Sequence, residues 1–301
     1  MRIGIGLTEP TGPDALAKLR TTLQRAADDG LSSAWATHIF GLDALTSLAV
    51  AGSGIPGLEL GTSVVPTYPR HPAALAQQAL TTALAVEGRL TLGIGLSHQI
   101  VIEGMFGHDF SRPLRHLDEY LSVLLPLLDD KPAQFTGETL TGNITLSPPR
   151  TGRVPVVVAA LGTQMLKLAG ERADGTVTWM TGPATLRDHT IPTITAAGAA
   201  AGRPAPRVIS ILPVCVTDDP EAATARAADV FKVYGFLPSY RAMLDREGAT
   251  GPEGVAIVGD EDTVAARIQD LAAIGVTDFI AGEYASGKDG IRTRALLKSL
   301  A

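Results

Sequence analysis

The chain has 301 residues, of which 45% are hydrophobic and 19% charged, a composition typical of a globular protein with a large core. Lysine and arginine total 25 against 31 aspartates and glutamates, a formal net charge of −6, and no basic run stands out. This balance argues against nucleic-acid binding. The only cysteine, Cys215, rules out an intramolecular disulfide and a thiolate metal cluster.

Cys215 lies in the apolar run Val208–Val216 and is interpreted as a buried structural thiol rather than a nucleophile. The first residues show no signal-peptide pattern, and no window reaches about 18 uninterrupted apolar residues. We therefore expect a soluble, cytoplasmic protein that does not bind membranes.

Short apolar runs alternate with longer helical patterns along the chain. The strands are predicted, in order, at Ile3–Leu7, Ser33–Thr37, Leu58–Val65, Leu90–Gly95, Val154–Ala159, Thr176–Met180, Val208–Val216 and Val276–Ala281. The helices are predicted at Pro13–Asp29, Asp43–Ala51, Pro72–Val86, Leu114–Leu128, Thr163–Gly170, Ala184–Ala201, Glu221–Tyr234, Asp262–Ile274 and Ile291–Leu300.

Three longer connections interrupt this rhythm. Ser97–Pro113 and Gly235–Gly254 are predicted to be irregular, and Gln134–Pro149 carries the turn signals of a small β-hairpin. Eight strand–helix units predict an α/β fold, a (β/α)8 TIM barrel with insertions after strands, formed by residues 1–301 as one domain. An open doubly wound sheet is the alternative. It is disfavoured because no sharp domain boundary and no complete dinucleotide fingerprint are found.

Common catalytic motifs are incomplete. Gly93 and Gly95 begin a dinucleotide loop, but His98 stands where the third glycine belongs. Gly61-Thr62-Ser63 begins a nucleophile elbow that ends in Val65 instead of glycine. The six histidines do not show metal-ligand spacing on one element, so no metal site is expected. A bound organic cofactor would explain why the side chains do not show a hydrolytic or metal site.

Five short sequence segments lie at the predicted strand ends: Ala36–Phe40, Gly61–Pro66, Leu92–His98, Val157–Thr163 and Ala173–Trp179. In this order and spacing they resemble the luciferase-like monooxygenase superfamily, and more narrowly its actinobacterial branch that uses the deazaflavin coenzyme F420. The resemblance extends from Ile3 to about Phe279. The most distinctive segment in this resemblance is Gly61–Pro72.

The resemblance implies where a cofactor would bind. A non-prolyl cis peptide, here between Ser63 and Val64, would press on one face of the deazaflavin ring, with Gly95 and Ser97 also in the cofactor site. The phosphate would rest on the start of a helix, at the residues Ala160, Leu161, Gly162, Thr163 and Gln164. Backbone N–H groups at a helix start favour an anion.

Other interpretations of these residues stay open. Ser63 could be an ordinary residue at a strand end, and Thr163 could simply cap its helix. Trp179 could line the cofactor pocket or sit at the rim of the core.

The catalytic residues implied by the resemblance are His38 and His98. His38 would hydrogen-bond the ring or donate a proton, and an imidazole titrates near the pH that proton transfer requires. His98 stands where sugar-phosphate dehydrogenase relatives have a carboxylic acid, which argues against the same substrate. Either histidine could instead be a loop residue held by hydrogen bonds. Glu103 and the Tyr234–Arg241 stretch are weaker candidates for contacts in the site.

The resemblance therefore implies an F420-dependent oxidoreductase that transfers hydride between the deazaflavin C5 and an activated C=C, C=N or C=O group. The alternatives are an FMN-dependent monooxygenase and a cofactor-free binding barrel. The expected partner is a small-molecule or peptide substrate. Relatives suggest a homodimer through the second and third helices, where small residues would allow close packing: Ala73, Ala76, Ala79 and Ala83.

Overall fold

A computed structural model describes all 301 residues, with twelve strands and twelve helices numbered here in chain order. The strands are β1 Arg2–Leu7, β2 Ser33–Ala36, β3 Glu59–Thr62, β4 Val65–Pro66, β5 Leu90–Gly95, β6 Ala133–Thr136, β7 Thr141–Ile144, β8 Val156–Val158, β9 Gly175–Trp179, β10 Arg207–Val216, β11 Ile257–Gly259 and β12 Asp278–Glu283.

The helices are α1 Ala15–Asp28, α2 Ala44–Gly52, α3 Pro72–Ala85, α4 Gln99–Gly104, α5 Pro113–Leu128, α6 Thr163–Arg172, α7 Pro183–Thr185, α8 Ile191–Ala200, α9 Pro220–Val230, α10 Pro238–Glu247, α11 Glu261–Ala273 and α12 Gly287–Leu300. A π-helical turn, Leu186–Thr190, joins α7 to α8. None of the helices is long and apolar enough to cross a membrane.

The chain has the predicted (β/α)8 barrel fold. Eight strands follow one another in the hydrogen-bonded order β1, β2, β3, β5, β8, β9, β10 and β12, and β12 pairs with β1 to close the sheet. The recorded pairings within this barrel are parallel, including β1 with β12 and β10 with β9. Their side chains are buried on both faces, as expected for a parallel sheet covered by helices.

Contacts divide the chain into two compact units. Unit 1 comprises Met1–Leu7, Gln24–Trp35 and Ala160–Ala301, and unit 2 comprises Thr8–Leu23 and Ala36–Ala159. The assignment of residues 1–301 to one domain stays a prediction.

Unit 1 is organised around β10, a ten-residue strand that pairs in parallel with β9, β11 and β12. Nine of its ten residues are buried, and the thiol of Cys215 is among them, as its apolar surroundings predicted. At the start of β12, the buried carboxylate of Asp278 receives two hydrogen bonds from the Arg207 guanidinium, at 2.7 and 3.3 Å. This ion pair fixes the first residue of β10 to the first residue of β12.

Unit 2 contains the predicted β-hairpin, formed by the antiparallel strands β6 and β7. The Glu119 carboxylate in α5 accepts hydrogen bonds from three backbone N–H groups of the hairpin turn, those of Glu138, Thr139 and Leu140. These bonds attach the hairpin to the helix. The four small residues of α3 proposed for a dimer contact are all buried within the chain: Ala73, Ala76, Ala79 and Ala83. The homodimer stays a prediction, but this face is not free to form it.

The structure corrects the sequence-based elements in four places. The stretch Gly235–Gly254, predicted to be irregular, contains helix α10, and Ser97–Pro113 contains α4. The short strand β11 was not predicted, and it pairs with the end of β10. The third strand is not continuous, because β3 ends at Thr62 and β4 begins at Val65.

Candidate cofactor-binding and active site

The break between β3 and β4 contains the one non-prolyl cis peptide of the chain, Ser63–Val64, as the resemblance implied. The Ser63 N–H donates to the Ala36 carbonyl at the end of β2, at 2.8 Å. The Thr62 hydroxyl, just before the break, donates to the Gly93 carbonyl and accepts from the Gly93 N–H, at 2.7 and 2.8 Å. These bonds hold the break against both neighbouring strands.

Two glycines in β5 make room for Thr62 and Val64. A methyl group at position 93 would stand 1.9 Å from the Thr62 carbonyl oxygen, and one at position 95 would stand 2.6 Å from Cγ2 of Val64. Gly95 is thus placed beside Val64, and the role of both residues in cofactor binding stays a prediction. The dinucleotide-like Gly-Ile-Gly pattern arises from this close packing of two strands and not from a nucleotide loop.

The chain turns sharply after β5. Ser97 has a positive φ of 62°, and His98 is the residue before the first turn of α4. Burial lowers the pKa of His98 below its usual value. His98 thus lies between the end of β5 and the start of α4, as predicted. Its role as a catalytic group stays a prediction.

His38 lies just after β2, where its Nδ1 accepts a hydrogen bond of 3.2 Å from the backbone N–H of Ala44, the first residue of α2. Its Nε2 lies 3.5 Å from Nη2 of Arg70. Arg70 also forms a short ion pair with Asp43, the N-cap residue of α2. Burial opposes ionisation of Asp43, but hydrogen bonds from Thr46 and Arg70 lower its pKa to about 2.

The predicted phosphate site, here called the α6 loop, comprises Ala160–Gln164. Gly162 is the N-cap residue of α6, so the alternative in which Thr163 caps the helix is wrong. No side chain caps this helix, and a methyl group at Gly162 would meet no atom within 4 Å. Gly162, Thr163 and Gln164 are exposed. The first N–H groups of α6 are therefore open to an anion.

The α6 loop is held by a histidine that the sequence did not single out. His189, buried in the π-helical turn, lies with Nε2 2.9 Å from the Leu161 carbonyl oxygen. No sequence pattern predicts this contact, because a π-helical turn shifts side chains away from the normal helical period.

Trp179 ends β9 and belongs to an aromatic cluster in unit 1. Its ring lies 5.6 Å from that of Phe231 and 5.8 Å from that of Tyr234, both in edge-to-face arrangements, and Tyr234 packs on Tyr240 at 5.1 Å. The indole N–H is buried without a hydrogen-bond partner. Tyr234 and Tyr240 belong to the stretch predicted to contribute substrate contacts, so Trp179 and part of that stretch lie together.

The predicted residues are divided between the two compact units. His38, Ser63, Val64, Gly95, Ser97 and His98 belong to unit 2, and the α6 loop and Trp179 belong to unit 1. Arg70, Asp43 and His189 were not predicted as site residues. For Asp43 a signal existed, since an aspartate before an apolar helical run is a typical N-cap.

Comparison with known proteins agrees with this fold. A 5,10-methylenetetrahydromethanopterin reductase of Methanolobus tindarius is 26% identical over 298 residues, covering 89% of this chain and 91% of the relative. A putative coenzyme F420-dependent oxidoreductase of Mycobacterium tuberculosis is 34% identical over 164 residues, 50% of this chain and 47% of the relative.

Among solved structures, the coenzyme F420-dependent tetrahydromethanopterin reductase from Methanopyrus kandleri has the same fold, with a TM-score of 0.83 and 22% identity over 99% of this chain and 97% of that one. The family model described as luciferase-like monooxygenase matches residues 1–278. The chain therefore belongs to the luciferase-like monooxygenase family and is an oxidoreductase of that family.

Proposed function

We propose that this protein is a coenzyme F420-dependent oxidoreductase that acts on a small-molecule or peptide substrate. When bound, the deazaflavin supplies hydride transfer at its C5 to or from an activated C=C, C=N or C=O group. Two relatives support this proposal, since one is named as a reductase and the other as an F420-dependent oxidoreductase.

The observation that carries the proposal is the uncapped start of α6. A helix N-terminus whose N–H groups lack a capping side chain attracts an anion, because the aligned peptide dipoles place partial positive charge there. A methyl group on Gly162 would meet no atom within 4 Å, so the N-cap position is not crowded. In this proposal the α6 loop binds the cofactor phosphate, through Ala160, Leu161, Gly162, Thr163 and Gln164.

The remaining predicted residues would act on the ring and the substrate. Ser63, Val64, Gly95 and Ser97 would contact the ring, and Trp179 would contribute an aromatic surface beside it. His38 and His98 would contact the reacting groups by hydrogen bonds, and the neutral state favoured by burial of both suits hydrogen bonding.

A binding titration tests the proposal. F420, FMN and riboflavin are added separately to the purified protein, and binding is followed by absorbance and fluorescence of the chromophore. We expect F420 to bind in the micromolar range or tighter, and FMN to bind at least tenfold more tightly than phosphate-free riboflavin. A protein that binds none of the three contradicts the proposal.

An FMN-dependent monooxygenase is the second candidate, favoured by the description of the family. The two candidates differ in their reaction with oxygen, because reduced FMN reacts with oxygen readily and reduced deazaflavin reacts poorly. Preferred binding of FMN, with oxygen consumed in step with substrate turnover, would select the monooxygenase.

A further inference from the structure

Both nitrogens of the His38 ring face N–H donors. Nδ1 accepts the backbone N–H of Ala44 at 3.2 Å, which leaves the ring proton on Nε2. Nε2 lies 3.5 Å from Nη2 of Arg70, a group that can only donate. The side chains of His38 and Arg70 are 15% and 25% exposed, so a ligand can reach both.

Arg70 is held in this position by two partners. Its guanidinium forms the short ion pair with Asp43 and donates to the side-chain oxygen of Gln78 at 2.9 Å. Gln78 in turn donates to the Asp43 carboxylate at 3.0 Å, and Asp43 accepts the Thr46 N–H as the cap of α2. The arginine is therefore oriented by a closed set of hydrogen bonds and cannot easily turn away from His38.

A protonated His38 would be disfavoured by this arrangement. A second ring proton on Nδ1 would point at the Ala44 N–H, and the positive charge would lie beside the Arg70 guanidinium. Asp43 is the one facing group that favours the charge, with Oδ2 3.9 Å from Nδ1, but Arg70 already neutralises it. Burial and Arg70 together outweigh Asp43 and lower the pKa of His38 below its usual value.

We propose that the Ala44 N–H sets the tautomer of His38, with its proton on Nε2, and that Arg70 is a positioning residue whose charge keeps the ring neutral. His38 then offers a hydrogen bond to the ligand and does not act as an imidazolium acid. The catalytic meaning of this inference rests on the proposed function, in which His38 contacts the reacting groups. Its structural content, the charge and tautomer of one imidazole, does not depend on any cofactor.

The test is a pH titration of the cofactor-free protein with 15N-labelled histidine, followed by two-bond 1H–15N NMR correlations, which distinguish the two tautomers and the charged form. The His38 signals are identified by their loss in His38→Gln. In the wild type we expect His38 to titrate below the usual histidine pKa, with Nε2 protonated in the neutral ring. A wild-type His38 that is half charged at pH 6.5, or protonated on Nδ1, overturns the proposal.

Two variants separate the charge of Arg70 from general disruption of the ion pair. Arg70→Met removes the positive charge beside His38 and leaves the Asp43 carboxylate to attract a proton on the His38 ring. We therefore expect the proton affinity of His38 to rise at least tenfold. Asp43→Asn breaks the same ion pair and keeps a capping side chain, but removes the only attractive charge, so His38 should stay neutral. Equal behaviour of the two variants overturns the role of Arg70.

A third variant serves if Arg70→Met does not fold. Ala44→Pro removes the N–H that faces Nδ1, and proline is well tolerated as the first residue of a helix. We expect proton affinity to rise in this variant too, and no change would overturn the proposal. Failure of the F420, FMN and riboflavin titrations would contradict the proposed function without affecting these NMR results.

Discussion

Asp278 shows how one buried charge can organise unit 1. Its carboxylate, 1% exposed, accepts two bonds from Arg207 and one of 2.7 Å from the Thr277 hydroxyl, and it lies 3.4 Å from the Arg2 guanidinium. Asp278→Asn keeps the size but leaves the Arg207 charge without its partner. We expect a loss of about 2 to 3 kcal/mol in the free energy of unfolding, measured with urea.

The control is an exposed pair. Asp229 and Lys232 are 81% and 71% exposed, and their ion pair of 3.5 Å is of the kind that adds little to stability. Asp229→Asn should change the free energy of unfolding by less than about 0.5 kcal/mol. If the two substitutions have equal effects, the buried pair does not organise β10 and β12 as proposed.

Gly95 is predicted to matter for ring binding through Val64. In Gly95→Ala the new methyl group would stand 2.6 Å from Cγ2 of Val64 and 3.1 Å from Cβ of Ala159, so Val64 has to move. Overpacking of this kind costs roughly 1 to 3 kcal/mol. We expect the dissociation constants of both FMN and riboflavin to rise about tenfold in titrations. Gly104→Ala, where nothing lies within 4 Å, should leave both unchanged.

At the scale of single residues, local signals in the sequence predicted the candidate site. Ser63, Gly95 and Gly162 were singled out because they belong to short segments of neighbouring residues, and the Ser63–Val64 cis peptide is confirmed. The contact between His38 and Arg70 spans 32 residues, and that between His189 and Leu161 spans 28. Such contacts depend on which elements of the chain become neighbours in the fold. The type of either residue and its neighbours in the sequence do not reveal its partner.

The N-terminus of α6 permits a test in which stability and binding change in opposite directions. Gln164→Glu places a negative charge in the first turn of the helix, which should stabilise the protein by about 0.3 to 0.5 kcal/mol. The same charge repels a phosphate. We expect FMN affinity to fall by about threefold to tenfold and riboflavin affinity to stay the same, in parallel titrations and thermal melts. Loss of both affinities would contradict a phosphate site on α6.

The elements predicted from the sequence and those missed differ in how many apolar side chains they bury. The eight barrel strands were predicted because continuous apolar runs are typical of parallel strands. Helix α10 buries only Met243 and Leu244, and the six-residue α4 buries only Ile102. With so few apolar positions, neither helix shows a periodic pattern that distinguishes it from an irregular connection.

The whole molecule should lose stability in mild acid. His116 is buried, stacked on Tyr68 at 3.7 Å, with Nε2 3.0 Å from the Thr67 hydroxyl. Burial, with His108 adding and Glu119 opposing, lowers its pKa to about 4. The unfolded chain, with a histidine pKa near 6.5, therefore binds this proton more tightly than the folded chain. Stability present above pH 6.5 is lost as the pH falls toward 4.

The measurement is the urea midpoint at pH 7 and pH 5. We expect a lower urea midpoint at pH 5 than at pH 7 in the wild type. Burial also lowers the pKa of His38 and His98, so both add to this loss of stability in acid. His116→Gln lacks one of these titrations, so its midpoint should change less between the two pH values. An unchanged difference would show that His116 does not contribute to the acid sensitivity.

The pairing of β1 with β12 also sets an order of events during synthesis. Arg2–Leu7 is synthesised well before its partner Asp278–Glu283, because the whole region between them has to be translated first. At typical translation rates, on the order of 15 to 55 seconds pass between the synthesis of β1 and that of β12. Unit 2 ends at Ala159 and is complete well before then. During most of synthesis β1 can therefore pair with β2 on one edge only, and its other edge stays open to a chaperone.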